Sequence, residues 1–434
     1  MILKNNKVSF ITLGCSKNTV EAESILGLFL KEGYEISGDL SNTDIIIIHT
    51  CSFIQDAQAE SHYQIQQAGL LKQKNKNLKI FVSGCLAQLL QDKMQKDYPF
   101  IDGYVGTGNF DKIVKLIKKN KFFAETNCAG GVNDFKSRIL STDTPSTYIK
   151  ISEGCNHRCS YCIIPNLRGN FISRPIKSIT DEAKALADAG IQELNIIAQD
   201  TTSYGIDIYG KLSLAKLLKD LSKIKQFRWI RLLYAYPSTI NKELLETISQ
   251  TENICNYIDI PIQHISKSVL KNMKRPINTR NIIENIKKEF PEIVLRTSLI
   301  TGFPNETEED FKELLSFVKQ NYFEHIGIFG YSDQKLAKSY KLKNKISQRV
   351  IEKRLQLLAA AQFKNVEKNN KNKIGKTFEV LPETISKNKV YCRAYFQAPE
   401  IDNIIIVNNN KNIQLDKFTK VTIKGYKDYD LIAK

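Results

Sequence analysis

A chain of 434 residues exceeds what one ordinary core organises and divides into two or three domains. With 42% hydrophobic and 25% charged residues, no apolar run near the roughly 20 residues a membrane helix needs, and no signal-like core after Met1, it reads as a soluble cytoplasmic protein with no membrane contact. The net charge of +17 attracts polyanions such as an RNA or ribonucleoprotein surface. Runs such as Lys72-Gln73-Lys74-Asn75-Lys76-Asn77 equally suit the Lys/Asn bias of an AT-rich genome, so charge alone does not choose a substrate.

The first region repeats strand, loop and helix. Residues 8–13 form a strand that turns at Gly14-Cys15. Residues 44–49 are a continuous apolar run, the pattern of a parallel strand buried on both faces, and Thr50-Cys51 follow. A third strand, 79–83, ends at Gly84-Cys85, and helices are expected at 21–31 and 88–96. Ligands of an open α/β sheet bind outside the carboxyl ends of its strands, where Cys15, Cys51 and Cys85 all stand. They lie 36 and 34 residues apart (51 − 15 and 85 − 51), so no local motif links them, yet three strand-end loops can converge on one point. Gly14 and Gly84 permit tight turns beside a bound group. The convergence suits an iron–sulfur cluster with three protein ligands; three unrelated buried thiols are the alternative.

The second region follows a Ser/Thr/Asp-rich linker near Thr144-Pro145. Its strands are expected at 148–152, 193–198, 229–234, 257–260, 293–299 and 325–329, with helices between them at 180–189, 211–223 and 308–320 among others. Six strand–helix units predict an open barrel rather than a closed eight-unit one. At the first strand end stand Cys155, Cys159 and Cys162 in the run Glu153-Gly154-Cys155-Asn156-His157-Arg158-Cys159-Ser160-Tyr161-Cys162. Three thiolates on one loop suit a cluster that keeps one iron free to bind a reactant. A zinc knuckle would need a fourth ligand, for which His157 is available. Cys128, Cys255 and Cys392 are left as plain buried side chains, since a reducing compartment does not favour a disulfide framework.

A long helix over 346–365 leads to strands at 377–381, 390–395, 403–407 and 420–424, a small β-barrel. From Gly375 onward ten Lys/Arg face seven Asp/Glu, only three positive charges in excess and no dedicated RNA clamp. The expected fold class is α/β, with a parallel N-terminal domain over 1–140, an open six-stranded (β/α) partial barrel over 141–366 and an all-β barrel over 367–434.

These motifs resemble the radical S-adenosylmethionine (SAM) methylthiotransferase family over essentially the whole length. The likeness rests on Leu13-Gly14-Cys15-Ser16-Lys17-Asn18, Thr50-Cys51-Ser52-Phe53-Ile54, the three-cysteine run, Ala198-Gln199-Asp200-Thr201, Asp259-Ile260-Pro261-Ile262-Gln263-His264 and Gly302-Phe303-Pro304. Ala398-Pro399-Glu400-Ile401-Asp402 is similar to the branch that modifies an aspartate of ribosomal protein S-twelve. The branch that modifies tRNA adenosines usually carries Gln-Met-Asn after the first cysteine and Gly-Gln-Asn near Gln199, and this chain departs from it at both places. One departure from the aspartate branch is also visible, because the loop at Tyr331-Ser332-Asp333-Gln334-Lys335-Leu336 is less acidic and lacks a glycine.

The resemblance implies a catalytic radical SAM domain, a C-terminal TRAM barrel and two [4Fe–4S] clusters. Cys155, Cys159 and Cys162 would hold the cluster that binds SAM and cleaves it to methionine and a 5′-deoxyadenosyl radical, which abstracts hydrogen from the substrate carbon. Cys15, Cys51 and Cys85 would hold an auxiliary cluster whose open iron carries the sulfur, and a second SAM would supply the methyl group. An electron donor, a sulfur source, and S-twelve, free or within the small ribosomal subunit, are the implied partners; tRNA adenosine is the alternative substrate. Softer candidates for SAM or substrate contact are Tyr161, Gln199, Asp200, Arg296 and Ser298, for which a barrel-mouth packing residue, a solvated turn and a structural polar pair are the plain readings. In the barrel, Arg393 and Tyr395 are available to a partner.

Overall fold

The structure is a computed structural model and describes residues 6–108, 110–126, 138–142, 145–408, 413–415 and 417–434. Cys128 and Thr144 lie outside the described residues. The first sheet has six parallel strands, β1 (Lys7–Thr12), β2 (Glu35–Ile36), β3 (Ile45–Thr50), β4 (Lys79–Gly84), β5 (Gly103–Val105) and β6 (Phe123–Glu125), in the order β2-β1-β3-β4-β5-β6. Every residue of β3 is buried, as its isoleucine run requires of a strand covered on both faces. β2, β5 and β6 are two or three residues long, too short for a periodicity signal, and escape the sequence reading. The helix after β1 spans Ser16–Lys31, starting directly behind Cys15 rather than at 21. In place of one helix over 88–96 there are two, Cys85–Leu90 and Lys93–Asp97, because Gln91 between them takes a left-handed φ of 48°.

The second sheet comprises β7 (Ser146–Lys150), then, after the short antiparallel pair β8 (Ser152–Glu153) and β9 (Ile172–Ser173), β10 (Glu193–Ile197), β11 (Trp229–Leu232), β12 (Ile254–Asp259), β13 (Val294–Thr301) and β14 (His325–Gly330). The order β14-β13-β12-β11-β10-β7 is sequential and all parallel, the open partial barrel expected from the sequence. Side chains alternate across these strands. Ile149, Leu194, Ile230, Ile258 and Leu295 pack beneath the helices on one face. The other face carries Glu193, Arg231, Tyr257 and Arg296.

The helix Gln348–Lys371 continues through residue 366 to a closed barrel of β15 (Thr377–Ser386), β16 (Lys389–Ala394), β17 (Ile405–Asn408), β18 (Thr419–Lys427) and β19 (Asp430–Ala433). β19, missed in the sequence, pairs parallel to β17 and antiparallel to β18, closing the ring. Cys255 and Cys392 are buried in apolar clusters, as plain side chains would be. No helix among the described residues is long and apolar enough to cross a membrane.

The three units are fastened by buried charge. Arg393 of the barrel meets Glu193 of β10 at 2.5 Å, and Arg231 of β11 meets the same carboxylate at 2.9 Å. Burial pushes the Glu193 carboxyl up, but Arg393 and Arg231 outweigh it and bring it down to about 2. Arg296 reaches Asp402 at 3.1 Å, and Tyr257 donates to Asp402 at 2.7 Å. Arg138 bridges Glu23 of the first domain (2.7 Å) and the Tyr148 carbonyl (2.6 Å). Arg393 therefore turns inward to the neighbouring domain, which corrects the expectation that it faces a partner, while Tyr395 is half-buried and its carbonyl accepts from Arg231. Arg393→Met leaves Glu193 buried with one cation and is expected to cost about 3–5 kcal/mol, measurable as a lower denaturant midpoint.

Candidate active site

Three strands of the first sheet, β1, β3 and β4, each deliver a cysteine at the carboxyl end. Cys51 directly follows β3, Cys85 opens the helix after β4, and Cys15 precedes the helix after β1. Gly14 and Gly84 both adopt φ +95°, and a Cβ on Gly14 would lie 2.5 Å from Cys51 Cβ and 2.8 Å from its Sγ. Only glycine lets the β1 loop come this close to the second cysteine. Cys51 and Cys85 are buried and Cys15 is exposed; Cys85 feels the charges of both others, and Cys51 that of Cys15. Burial pushes the Cys85 thiol up to about 12 against the pull of Arg168.

The second trio lies on the loop between β8 and the helix Ile164–Arg168, all three thiols half-buried. Cys162 feels the charges of Cys159 and Cys155, and burial raises it to about 12; burial likewise raises Cys155 to about 11. Within each set the thiols stand near enough to feel one another's charge. No three His, Cys, Asp or Glu side chains among the described residues are close enough to share a single metal ion. A four-iron cube seats its thiolates on separate corners and asks for wider spacing than one ion does. His157, the fourth ligand a zinc knuckle would need, turns to Asp200 at 2.8 Å and stacks on Tyr236 at 3.5 Å between centroids.

A buried ionic cluster joins the two trios. Arg168 donates to Cys85 Sγ (3.4 Å), Glu21 (2.6 Å), Glu153 (3.0 Å) and Asn18 Oδ1 (2.9 Å). Lys150 contacts Glu21 and Glu153, each at 2.6 Å, and His49 Nε2 lies 3.3 Å from Glu21. Two carboxylates face two cations. Burial pushes the Glu21 carboxyl up, but Arg168 and Lys150 hold it well below the usual carboxylate range, while burial lowers His49 toward its neutral form. Arg168 stands six positions after Cys162 (168 − 162), so one short helix carries a contact from the second trio's loop to the first trio.

Of the softer candidates, Gln199 donates to Glu153 at 2.9 Å, two positions before Cys155. Asp200 accepts from Thr202 and Ser203 besides His157. Tyr161 packs with Val269, Met273 and Phe303 beside Cys159. Arg296 is engaged by Asp259 (2.9 Å) as well as Asp402, and Ser298 Oγ lies 3.5 Å from its Nη1. The loop after β14 docks on the first domain, where Gln58 donates to Gln334 (3.0 Å) and to the Ser52 carbonyl (3.0 Å) beside Cys51.

The surroundings fit iron–sulfur groups. The donors are thiols alone, and Arg275 approaches Cys159 Sγ at 3.9 Å much as Arg168 approaches Cys85. Positive charge beside a sulfur favours thiolate, the ligating form. Ser16 Oγ, Ser52 Oγ, Gln199 Oε1 and Arg275 Nε are buried without a hydrogen-bond partner, and each belongs to a residue adjoining or contacting this site. The sequence reading missed Arg168, Lys150, Glu21 and Arg275. Glu153 and Asn18 stand within motifs already singled out, but no spacing rule marks an arginine that acts through space.

Comparison with known proteins agrees with this architecture. The chain matches the model of the radical SAM superfamily over residues 149–318, of the uncharacterized protein family UPF0004 over 7–106 and of the TRAM domain over 374–434. It is 48% identical over 429 residues to the ribosomal protein uS12 methylthiotransferase RimO of Endomicrobium trichonymphae, covering 98% of this chain and 97% of that one. It is 42% identical over 439 residues to the protein of that name from Clostridioides difficile, covering 98% of each. Among solved structures, the radical SAM methyltransferase TsrM of Kitasatospora setae, with cobalamin and a [4Fe–4S] cluster bound, aligns with a TM-score of 0.56 at 12% identity over 77% of both chains, a likeness of fold. Near-full-length identity to proteins of one name, on a fold that supplies all three expected units, places the chain in the RimO family of radical SAM methylthiotransferases.

Proposed function

We propose that this enzyme adds a methylthio group to the β-carbon of an aspartate of ribosomal protein S-twelve (uS12), in the cytoplasm, using two [4Fe–4S] clusters and two molecules of SAM. The reading is carried by the near-full-length identity to relatives named for uS12 methylthiotransfer. Cys155, Cys159 and Cys162 hold the cluster that binds SAM, and Cys15, Cys51 and Cys85 hold the second. When bound, the first supplies reductive cleavage of SAM to a 5′-deoxyadenosyl radical, and the second carries the sulfur to be transferred. Tyr161, Gln199, Asp200, Arg296 and Ser298 line the SAM and substrate side. Arg168 and Arg275 hold positive charge on the thiolates, and the loop that docks Gln334 on Gln58 keeps the two domains in register. An electron donor and a sulfur source complete the reaction. S-twelve is met free or in the small subunit, and we take the domains as 1–140, 141–366 and 367–434.

Mass spectrometry of S-twelve from a strain lacking this gene tests the assignment. The methylthio-aspartate is expected to disappear and to return on complementation. Unchanged modification of S-twelve, with loss of a methylthio group from tRNA adenosine, would transfer the enzyme to the tRNA branch.

A further inference from the structure

We propose that Lys17 is the specificity-determining residue that recognises the carboxylate of the target aspartate; the assignment rests on the substrate class proposed above. Lys17 lies two residues past Cys15, in the first turn of the helix Ser16–Lys31, and is 8% exposed. Eight lysines and arginines are buried to this degree among the described residues. Seven of them, Lys150, Arg168, Arg174, Arg231, Arg296, Arg354 and Arg393, have a carboxylate oxygen within 3.0 Å. Lys17 alone has none. Its Nζ instead lies over the ring of Tyr234, 2.9 Å from the centroid.

A cation–π contact supplies about 2 kcal/mol when desolvated, while an ammonium taken out of water without a counter-charge costs several. Where the seven other cations buried to this degree are balanced within the chain, the surplus positive charge of Lys17 marks the seat of an anion from outside the chain. The neighbouring Ser16 Oγ is also buried without a partner.

The position suits the chemistry. Tyr234 follows β11, and its carbonyl accepts from the Thr201 amide at 3.1 Å, so Lys17 reaches the carboxyl-end mouth of the partial barrel beside Gln199 and Asp200. Tyr234 holds a left-handed φ of 61°, with Asp259 Oδ2 accepting its amide at 3.1 Å. This conformation costs about 1–3 kcal/mol, and the surrounding bonds maintain it. The β-carbon of an aspartate is one bond from its carboxylate carbon. A carboxylate on Lys17 therefore sets the reacting carbon between the Cys15 loop, which brings sulfur, and the barrel mouth, which brings SAM. An asparagine of the same shape carries no charge for Lys17 to meet.

The test uses the reconstituted enzyme and purified S-twelve with either aspartate or asparagine at the target position, with binding followed by fluorescence anisotropy under anaerobic conditions. Wild type should prefer the aspartate protein by about tenfold or more, the worth of a charged hydrogen bond. Lys17→Met should remove the preference by weakening the aspartate form alone, and Lys17→Arg should keep it. Iron content and melting temperature of each variant report whether the fold stands. Retained preference in Lys17→Met overturns the assignment. So does loss of preference in both variants, or a defect confined to SAM affinity or to the electron paramagnetic spectrum of the second cluster, which would give Lys17 to the SAM carboxylate or to the sulfur. If wild type leaves S-twelve unmodified by mass spectrometry, the proposed substrate falls, and this assignment with it. If wild type modifies S-twelve while Lys17→Met discriminates equally well, only the role of Lys17 falls.

Discussion

Cys159→Ala is expected to abolish cleavage of SAM, with 5′-deoxyadenosine falling by at least about a hundredfold, since loss of even an outer-shell partner of a metal site costs ten- to a hundredfold. Cys51→Ala is expected to leave cleavage measurable and to stop formation of the methylthio product. The reason is geometric. Cys159 sits on the loop between β8 and the helix Ile164–Arg168, with Arg275 at 3.9 Å from its sulfur. Cys51 sits at the end of β3 in another sheet, packed against Gly14 and next to Ser52, whose carbonyl accepts from Gln58. The two thiols share no hydrogen-bond partner among the described residues, so their removal should act independently. Chromatography of the nucleoside and mass spectrometry of S-twelve, run on the same reaction, separate the outcomes. Equal loss of cleavage in both variants would mean that the trios do not divide the labour. An iron count gives the control, because about eight irons are expected in wild type and about four in either variant.

How much of this was legible beforehand depends on whether a signal was local. The isoleucine run of β3 and the six strand–helix units of the partial barrel carry their period in consecutive residues, and both stand where the pattern put them. β2, β5 and β6 carry too few residues for a period; β2 and β5 form on the free edges of the longer β1 and β4, and β6 adds to β5. The break at Gln91 depends on a single left-handed residue that no helical periodicity announces. In the site, the cysteines were legible from chemistry and from their place after strands. The cations that serve them were not. Arg168 reaches Glu21 across 147 positions and Cys85 across 83, and its role exists only once the helix Ile164–Arg168 is laid against the first sheet. The burial of Arg393 is not legible in the sequence because arginine is usually exposed, and burial by a neighbouring domain is a tertiary fact. Lys17 stands inside a motif already singled out, but its missing counter-ion appears only beside the seven comparably buried cations that have one.

Arg168→Met is expected to cost the fold heavily. In the native cluster Glu21 and Glu153 are balanced by Lys150 and Arg168, and all four side chains are at most 7% exposed. Methionine fills the space but leaves two buried carboxylates with one ammonium, a penalty of about 3–5 kcal/mol. Lys150→Met upsets the same balance and should cost a similar amount. The difference between the two variants lies at Cys85, whose sulfur accepts from Arg168 and has no bond to Lys150. Equal loss of stability with selective loss of iron or altered spectra from the second cluster in Arg168→Met is therefore the expected pair of results. Identical iron content and spectra in both would show that Arg168 serves only the charge balance.

The pH dependence has a definite sign. The Glu21 carboxyl is held well below its ordinary value despite burial, so its stabilisation is fully present above the unfolded carboxylate range and is lost as pH falls through the folded value. Removing Arg168, the larger of the two cationic influences on Glu21, raises that folded value. The variant takes up its proton sooner, and its deficit against wild type should be greatest near neutrality and narrow below about pH 4.5. Adding Glu21→Gln to Arg168→Met removes both charges at once and should recover part of the lost stability at pH 7. Urea midpoints of the wild type, the single variants and the double variant across this range measure the coupling directly, and a deficit that widens on acidification would contradict the ionised carboxylate on which the charge balance depends.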